Sequence, residues 1–306
     1  MLKLTIHTAT FNRAYILEKA YLSLKAQTNK DFEWIITDDG SEDETETLIQ
    51  FWKEQNAGFP IVYNKLEHVG IPRALNAGVQ KARTSWFMML DSDDYLLPET
   101  VEKVLQWVEE IEDKQDFVGI GYARMFPNGD YMKPQCPLID SSIGFVDATN
   151  IERKKYNLDM DMVEVYRVAL LKRYPFQYWP TEKYAPEQLG FNEMSFDGYK
   201  IRWHADKLYV CEYLDDGQTK DDRLVMNNPM GFAMMYNQNM RIHSSLKEKC
   251  YDAIQMIALA LYGKNPKYLI HSNEKWITLL LMPIGGLLFL RRAHQYRLLQ
   301  EKSNYQ

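Results

Sequence analysis

The protein has 306 residues of ordinary globular composition and a net charge of −6, enough chain for one large or two modest domains with a real core. Residues 241–306 hold ten Lys or Arg against four Asp or Glu, so residues 1–240, with 26 basic and 38 acidic side chains, carry −12. An acidic body with a basic tail excludes a nucleic-acid binder, which would place its Lys and Arg on the main domain, and suits a tail that meets anionic lipid. Cys136, Cys211 and Cys250 lie far apart with no CxxC pair, which excludes a disulfide framework and a zinc cluster. The N-terminus, MLKLTIHTATFNR, has no leader pattern, so a cytoplasmic protein is expected.

Residues 3–8 (KLTIHT) alternate polar and apolar side chains, and NRAYILEKAYLSLKAQ then places apolar residues at 16, 17, 20, 21 and 24. That pattern predicts a strand, a turn and an amphipathic helix. Trp34-Ile35-Ile36 predicts a second strand ending in TDDGSEDET, a turn whose Ser41 or Asp43 can cap a helix reaching about Lys53. A third strand is expected near IVYNK, a helix from about Pro72 to Arg83, a strand at WFMML and a helix over PETVEKVLQWVEEIE, with Pro98 near its first turn. Strands alternating with helices through the first 115 residues imply an α/β fold with a mostly parallel central sheet.

Such sheets bind ligands at the carboxyl ends of their strands. Three polar loops, Thr8 to Arg13, Thr37 to Asp43 and Asp91 to Asp94, should therefore converge on one rim. The apolar run Trp86 to Leu90 delivers Asp91, Asp93 and Asp94 there, and mutual repulsion among these carboxylates invites a divalent cation.

From 117 to 215 the pattern shifts to shorter strand-like runs, FVGIGYARMF, KIRWHA and KLYVCEYL, among Pro-, Gly- and aromatic-rich segments. Asp161 and Glu164 in DMDMVEVYR read as N-terminal acids of a helix, and His243 as a surface residue. Residues 246–262 predict an amphipathic helix. WITLLLMPIGGLLFL, residues 276–290, follows as an uncharged stretch between Lys275 and Arg291-Arg292. It falls short of the roughly 20 residues that span a bilayer, and Pro283 with Gly285-Gly286 should interrupt a helix. It is expected to lie on an anionic membrane surface, with Trp276 at the headgroups and Arg297 also facing lipid, or to pack as a helical hairpin on the catalytic domain or on a second subunit of a homo-oligomer.

The ordered motifs TATFNRAYIL, SLKAQTNKDFEWIITDDGSEDET, GIPRALNAGVQKA and FMMLDSDD resemble the nucleotide-sugar domain of family 2 glycosyltransferases with the GT-A fold. The resemblance continues less specifically through YPFQYWPTEKYAPEQLGFN and LYVCEYLDDGQT, similar to members that build bacterial surface polysaccharides. It implies a Rossmann-like GT-A domain with a donor half at 1–116, an acceptor-side half at 117–220 and a C-terminal helical extension at 221–306. It also implies an inverting hexosyl- or N-acetylhexosaminyltransferase that moves sugar from a UDP-linked donor to a glycan or lipid-linked acceptor, peripheral on the inner face of the cell membrane. By the same resemblance, Mg²⁺ or Mn²⁺ on the donor diphosphate is held by Asp93 with Asp91 and Asp94. Asp39, beside Asp38, contacts the base. Thr8, Ala9, Thr10, Phe11 and Asn12 frame base and ribose, and Asp91 and Ser92 complete the donor site with Arg73 near the diphosphate.

Many family members draw their catalytic base from a Glu-Asp pair on the acceptor side. Here the matching stretch, APEQLGFNEM, has Gln188 in the second position, which leaves Glu187 as the base, with Glu182, Glu193 and Asp197 as competitors. The departure also admits a catalytically inactive module that only binds nucleotide-sugar. A haloacid-dehalogenase phosphatase would carry its DxD on the first strand, a nucleotidyltransferase needs a Gly-rich basic loop that TATFNRAYIL lacks, and a dinucleotide dehydrogenase needs GxGxxG.

Overall fold

A computed structural model describes residues 2–133, 135–212 and 223–303, with side chains to residue 298. The stretch LYVCEYLDDGQT therefore lies partly outside the described residues. The chain forms two compact units: Met1–Phe176 with Gly190–Leu214, and Gln177–Leu189 with Asp215–Gln306. The expected division at 116/117 falls inside the first unit.

The first unit is an α/β domain around a mixed sheet that has nine strands among the described residues. They are β1 (Leu4–Thr10), β2 (Phe32–Asp38), β3 (Ile61–Lys65), β4 (Trp86–Met89), β5 (Tyr95–Leu96), β6 (Phe117–Met125), β7 (Phe145–Ala148), β8 (Met162–Arg167) and β9 (Lys200–Val210). Their order is β3-β2-β1-β4-β8-β6-β9-β5, with β7 also on β9. The pairs β3-β2, β2-β1 and β1-β4 are parallel, as expected for this half. Beyond β4 the pairing turns antiparallel except between β6 and β9, so the sheet taken whole is mixed.

Side-chain alternation explains why these strands are buried on both faces. Trp34, Ile36, Trp86 and Met88 point into one core with Leu24 of α1 (Glu18–Lys25), Trp52 of α2 (Thr45–Glu54) and Val104 of α4 (Thr100–Glu109). Their neighbours Ile35, Phe87 and Met89 point into the other, against Val79 of α3 (Ile71–Lys81), Leu171 of α5 (Val168–Arg173) and Phe191 of α6 (Gln188–Phe196).

Two predictions for this half need correction. DMDMVEVYR forms β8, not a helix, because Val163 and Val165 enter one core and Met162 and Tyr166 the other. Glu164 sits among them, 6% exposed, where burial pushes its pKa up to about 6 and the Arg153 guanidinium, 3.0 Å away, opposes the shift. KIRWHA and KLYVCEYL are not separate strands: residues 200–210 run continuously as β9.

The second unit is helical, with α7 (Leu224–Asn227), α8 (Pro229–Ile242), α9 (Leu246–Tyr262) and α10 (Lys275–Ser303). Met230, Ala233 and Met240 of α8 interlock with Met256, Leu259 and Ala260 of α9. α9 matches the predicted helix. His243, expected at the surface, is about one-third exposed and pairs through Nδ1 with the buried Asp252 at 2.6 Å.

α10 overturns the expected interruption: it is one helix of 29 residues with Pro283 inside it, and Lys275–Leu298 is long and apolar enough to cross a membrane by length and composition. Proline removes one backbone donor, a local loss that the flanking Leu, Met and Arg helix formers outweigh. Gly285 is buried against Ile257 of α9, where a β-carbon would come within 2.5 Å of the Ile257 Cβ.

Candidate active site

β1 lies between β2 and β4, all parallel, so the loops after the three strands leave the same edge of the sheet. The first two are stitched together. Asn12 N–H donates to Ser41 Oγ (2.8 Å), Glu42 N–H to Asn12 Oδ1 (2.9 Å), Ala14 N–H to Asp43 Oδ2 (3.0 Å) and Asp39 N–H to the Thr10 carbonyl (2.8 Å). Thr8 is buried and accepts from the Trp34 indole at 3.0 Å. Ala9 and Thr10 complete the end of β1, and Phe11 projects at 38% exposure.

The two aspartates of TDDG have different surroundings. Asp38 is fully buried and accepts from Ser41 N–H (2.8 Å) and the Tyr63 hydroxyl (2.6 Å), so its visible work is to shape the turn. Asp39 binds the next loop, accepting from Val69 N–H (2.6 Å) and Gly70 N–H (2.9 Å). Each carboxylate oxygen retains acceptor capacity beyond one such bond. Gly40 follows at φ 86°, and a β-carbon there would stand 2.9 Å from His68 N. The turn therefore demands glycine.

His68 was not singled out from the sequence. It has a left-handed backbone (φ 52°), its Nδ1 lies 3.3 Å from Asp39 Oδ2, and its ring stacks on Phe11 at 4.1 Å. Asn12 is also left-handed, at φ 53°. Such conformations in non-glycine residues concentrate at binding loops. Arg73, in the first turn of α3, donates to the Val69 carbonyl at 2.8 Å, which places its guanidinium beside the loop that Asp39 holds.

The acidic loop joins this rim through Leu90 N–H, which donates to the His7 carbonyl at 2.8 Å. Its partners lie across β6 and β9. Arg124 of β6 donates to Asp91 Oδ2 (2.8 Å) and lies 3.6 Å from Asp94 Oδ2, with its guanidinium 4.5 Å from the centre of the Tyr209 ring. Asp91 N–H donates to the Tyr209 hydroxyl at 2.9 Å. Asp91 remains half exposed, Ser92 and Asp93 partly exposed, and Asp94 is 3% exposed. Burial first, and then Asp91, push the Asp94 pKa up to about 8, with Arg124 opposing. Arg124 is itself desolvated, yet Tyr209, Asp91, Asp161 and Asp94 hold its pKa well above the ordinary value.

Arg124 and Tyr209 escaped the sequence reading, although an arginine near the end of the buried strand FVGIGYARM is the same kind of signal as the acids after WFMML. Among the described residues no three His, Cys, Asp or Glu side chains form a ready-made metal cage. Two of the three aspartates face Arg124. The donor set still fits a hard cation that takes most of its ligands from a diphosphate, because crowded carboxylate oxygens are what such an ion needs from a protein.

Glu187 lies in the second unit, half-buried in the turn that enters α6, where Leu189 N–H donates to the Pro186 carbonyl. Two competitors have visible structural duties. Glu182 accepts from Met230 N–H and Gly231 N–H, each at 2.8 Å, and Asp197 accepts from the Tyr174 hydroxyl. Glu193 is partly exposed on α6.

The family model for glycosyl transferase family 2 matches residues 5–175. A GalNAc(5)-diNAcBac-PP-undecaprenol beta-1,3-glucosyltransferase of Campylobacter jejuni is 32% identical over 128 residues, 42% of this chain and 38% of that protein. The chain thus spans well under half the length of that curated relative. In three dimensions, residues 1–349 of S. aureus TarS, solved with UDP-GlcNAc, superpose with a TM-score of 0.58 at 16% identity, covering 90% of this chain and 78% of that one. The mannosyltransferase PcManGT of Pyrobaculum calidifontis, solved with GDP-Man and Mn²⁺, gives 0.55 at 14% identity over 94% of this chain and 80% of that one.

Proposed function

Because the chain belongs to glycosyl transferase family 2, we propose that it is a cytoplasmic enzyme of bacterial glycan synthesis that moves a sugar from a UDP-linked donor to an acceptor hydroxyl in one inverting displacement. The observation that carries this reading is the convergence of three loops at the carboxyl ends of β1, β2 and β4, one rich in hydrogen-bonding groups for a base and one in carboxylates for a diphosphate. Support for UDP comes from TarS, a protein of similar fold that binds UDP-GlcNAc. Support for a lipid-linked acceptor comes from the Campylobacter relative, named for a PP-undecaprenol glycan.

In this reading Asp39 accepts the N3–H of uracil while its bonds to Val69 and Gly70 fix its position, and Phe11 with His68 offers the base an aromatic surface. Thr8, Ala9, Thr10, Asn12 and Ser92 shape the ribose side, and Arg73 steers the diphosphate. Asp93, assisted by Asp91 and Asp94, holds Mg²⁺ or Mn²⁺, whose chemistry is to neutralise charge on the departing nucleoside diphosphate. Arg124 balances the charge of Asp91 and Asp94 from the protein side. Glu187 takes the proton of the acceptor hydroxyl.

A donor screen that measures nucleoside diphosphate release, with and without Mn²⁺, tests base, sugar and metal together. UDP release from at least one UDP-sugar is the expected result. Tight UDP-sugar binding with neither hydrolysis nor transfer to any acceptor would favour the donor-binding module that Gln188 keeps in play.

A further inference from the structure

The second unit carries a surface that the donor site does not use. α9 and α10 run in the same direction: Lys249 pairs with Glu274 near their starts, and the Tyr262 and Tyr296 rings meet at 5.7 Å further along. The inner stripe of α10, including Thr278 and Gly285, is buried, and Gly285 packs on Ile257. Its outer stripe is bare. Trp276 is 83% exposed, Leu280 79%, Leu287 68% and Leu290 60%.

Charge follows directly. Past Leu290 come Arg291, Arg292 and Arg297, while α10 carries no acidic residue between Glu274 and Glu301. Arg292 turns inward and donates to Gln255, but its Nη1 is buried with no hydrogen-bond partner, and no carboxylate pairs with it among the described residues. Arg291 and Arg297, exposed where the apolar stripe meets the basic end, match the level at which a bilayer places its phosphates.

We propose that the outer stripe of α10 docks on an anionic phospholipid bilayer, lying in its interface with Trp276, Leu280 and Leu287 among the acyl chains and the exposed Arg291 and Arg297 at the phosphates. Twenty-four helical residues extend about 36 Å, enough to cross a hydrocarbon core of about 30 Å. Crossing would require lipid on every side of the helix. Its inner stripe is instead committed to α9, which bears Lys249, Asp252 and Gln255, and drawing those groups through hydrocarbon is strongly opposed. A second copy of the chain is the competing occupant. A symmetric contact between two such helices would cover the leucines but bring no acid from between Glu274 and Glu301 to Arg291 or Arg297.

Flotation of the full chain with vesicles of phosphatidylcholine, alone or with an equal share of phosphatidylglycerol, is the test. Association with the anionic vesicles is expected, weakened by raising salt. Leu280→Glu/Leu287→Glu should reduce it roughly tenfold or more, and Arg291→Gln/Arg297→Gln roughly fivefold. Both leucines are exposed, so thermal unfolding of the double variant should match wild type. The proposal fails if anionic vesicles do not bind, or if binding ignores the leucine pair. It fails equally if wild type is a dimer that the leucine variant dissolves without any effect on vesicle binding. Flotation is independent of the donor site, so a chain that floats yet transfers no sugar refutes only the functional reading.

Discussion

Glu182 and Glu187 stand five residues apart, and the structure gives them different consequences on substitution. The Glu182 carboxylate, 7% exposed, receives two N–H groups from the first turn of α8. Asn228 Oδ1 answers by accepting Lys183 N–H and Tyr184 N–H at 3.1 and 3.0 Å, so segments 182–184 and 228–231 clamp each other. Glu182→Ala strands two buried donors, each worth about 1–3 kcal/mol, and also removes a negative charge from a helix N-terminus. Relief from burying a carboxylate, which pushes the Glu182 pKa up, offsets part of that loss. A net destabilisation of about 2–4 kcal/mol follows, or roughly 3–6 °C in Tm for a chain of this size. Glu182→Gln keeps one acceptor but turns an NH₂ toward the other N–H, and should cost about half as much.

Thermal unfolding by circular dichroism, paired with transfer assays well below Tm, separates the two acids. Glu182→Gln should melt earlier and transfer near the wild-type rate. Glu187→Gln should lose roughly a hundredfold in transfer at temperatures well below its own Tm, with donor affinity retained. A Glu182→Gln protein with wild-type Tm and no transfer would refute the argument and move the base to Glu182.

Three further outcomes are expected. Asp93→Asn should abolish transfer with the fold intact, and EDTA should silence the wild type; full activity in chelator would remove the cation from the mechanism. Gly78→Ala would put a β-carbon 2.2 Å from the His7 ring, so despite a better helix former it should destabilise by about 1–3 kcal/mol, readable in urea midpoints, and a stabilised variant would contradict the packing described. His7 and His204 are both held near a pKa of about 3, His7 by burial and His204 by burial and then Arg202. Their unfolded forms take up protons near pH 6.5, so their stabilisation is complete above that pH and is lost as pH falls toward 3. The slope is at most about 2.7 kcal/mol per pH unit for the pair. His204→Gln should halve that slope in denaturant titrations between pH 6 and 4, and an unchanged slope would show that His204 does not contribute.

The N-terminal half of the sheet is legible because its strands are short apolar runs punctuated by Asp, Gly and Ser, and its helices keep one apolar stripe; both signals are local. β8 is not, because the acid at its centre is neutralised by Arg153, and nothing within DMDMVEVYR announces that partner. The same holds at the rim. Motif spacing exposes TDDG and DSDD, whereas Arg124 and Tyr209 reach Asp91 from 33 and 118 positions away. Pro283 misleads for a different reason: it is a strong local signal for a break, and 29 residues of otherwise favourable helix override it.

The bond between Asp91 and Tyr209 also bears on the order in which the chain acquires its parts. Translated at about 5–20 residues per second, a chain that has just made Asp91 waits roughly 6–24 s for the tyrosine 118 positions later. β1 to β4 and the loops around Asp39 can assemble as they emerge during that pause, since all their strand partners have been made. β6 cannot complete either edge, because β8 and β9 have yet to be made. The nascent protein therefore acquires its base-binding side first and its carboxylate side last, and a chain stopped before residue 200 should hold the first without fixing the second.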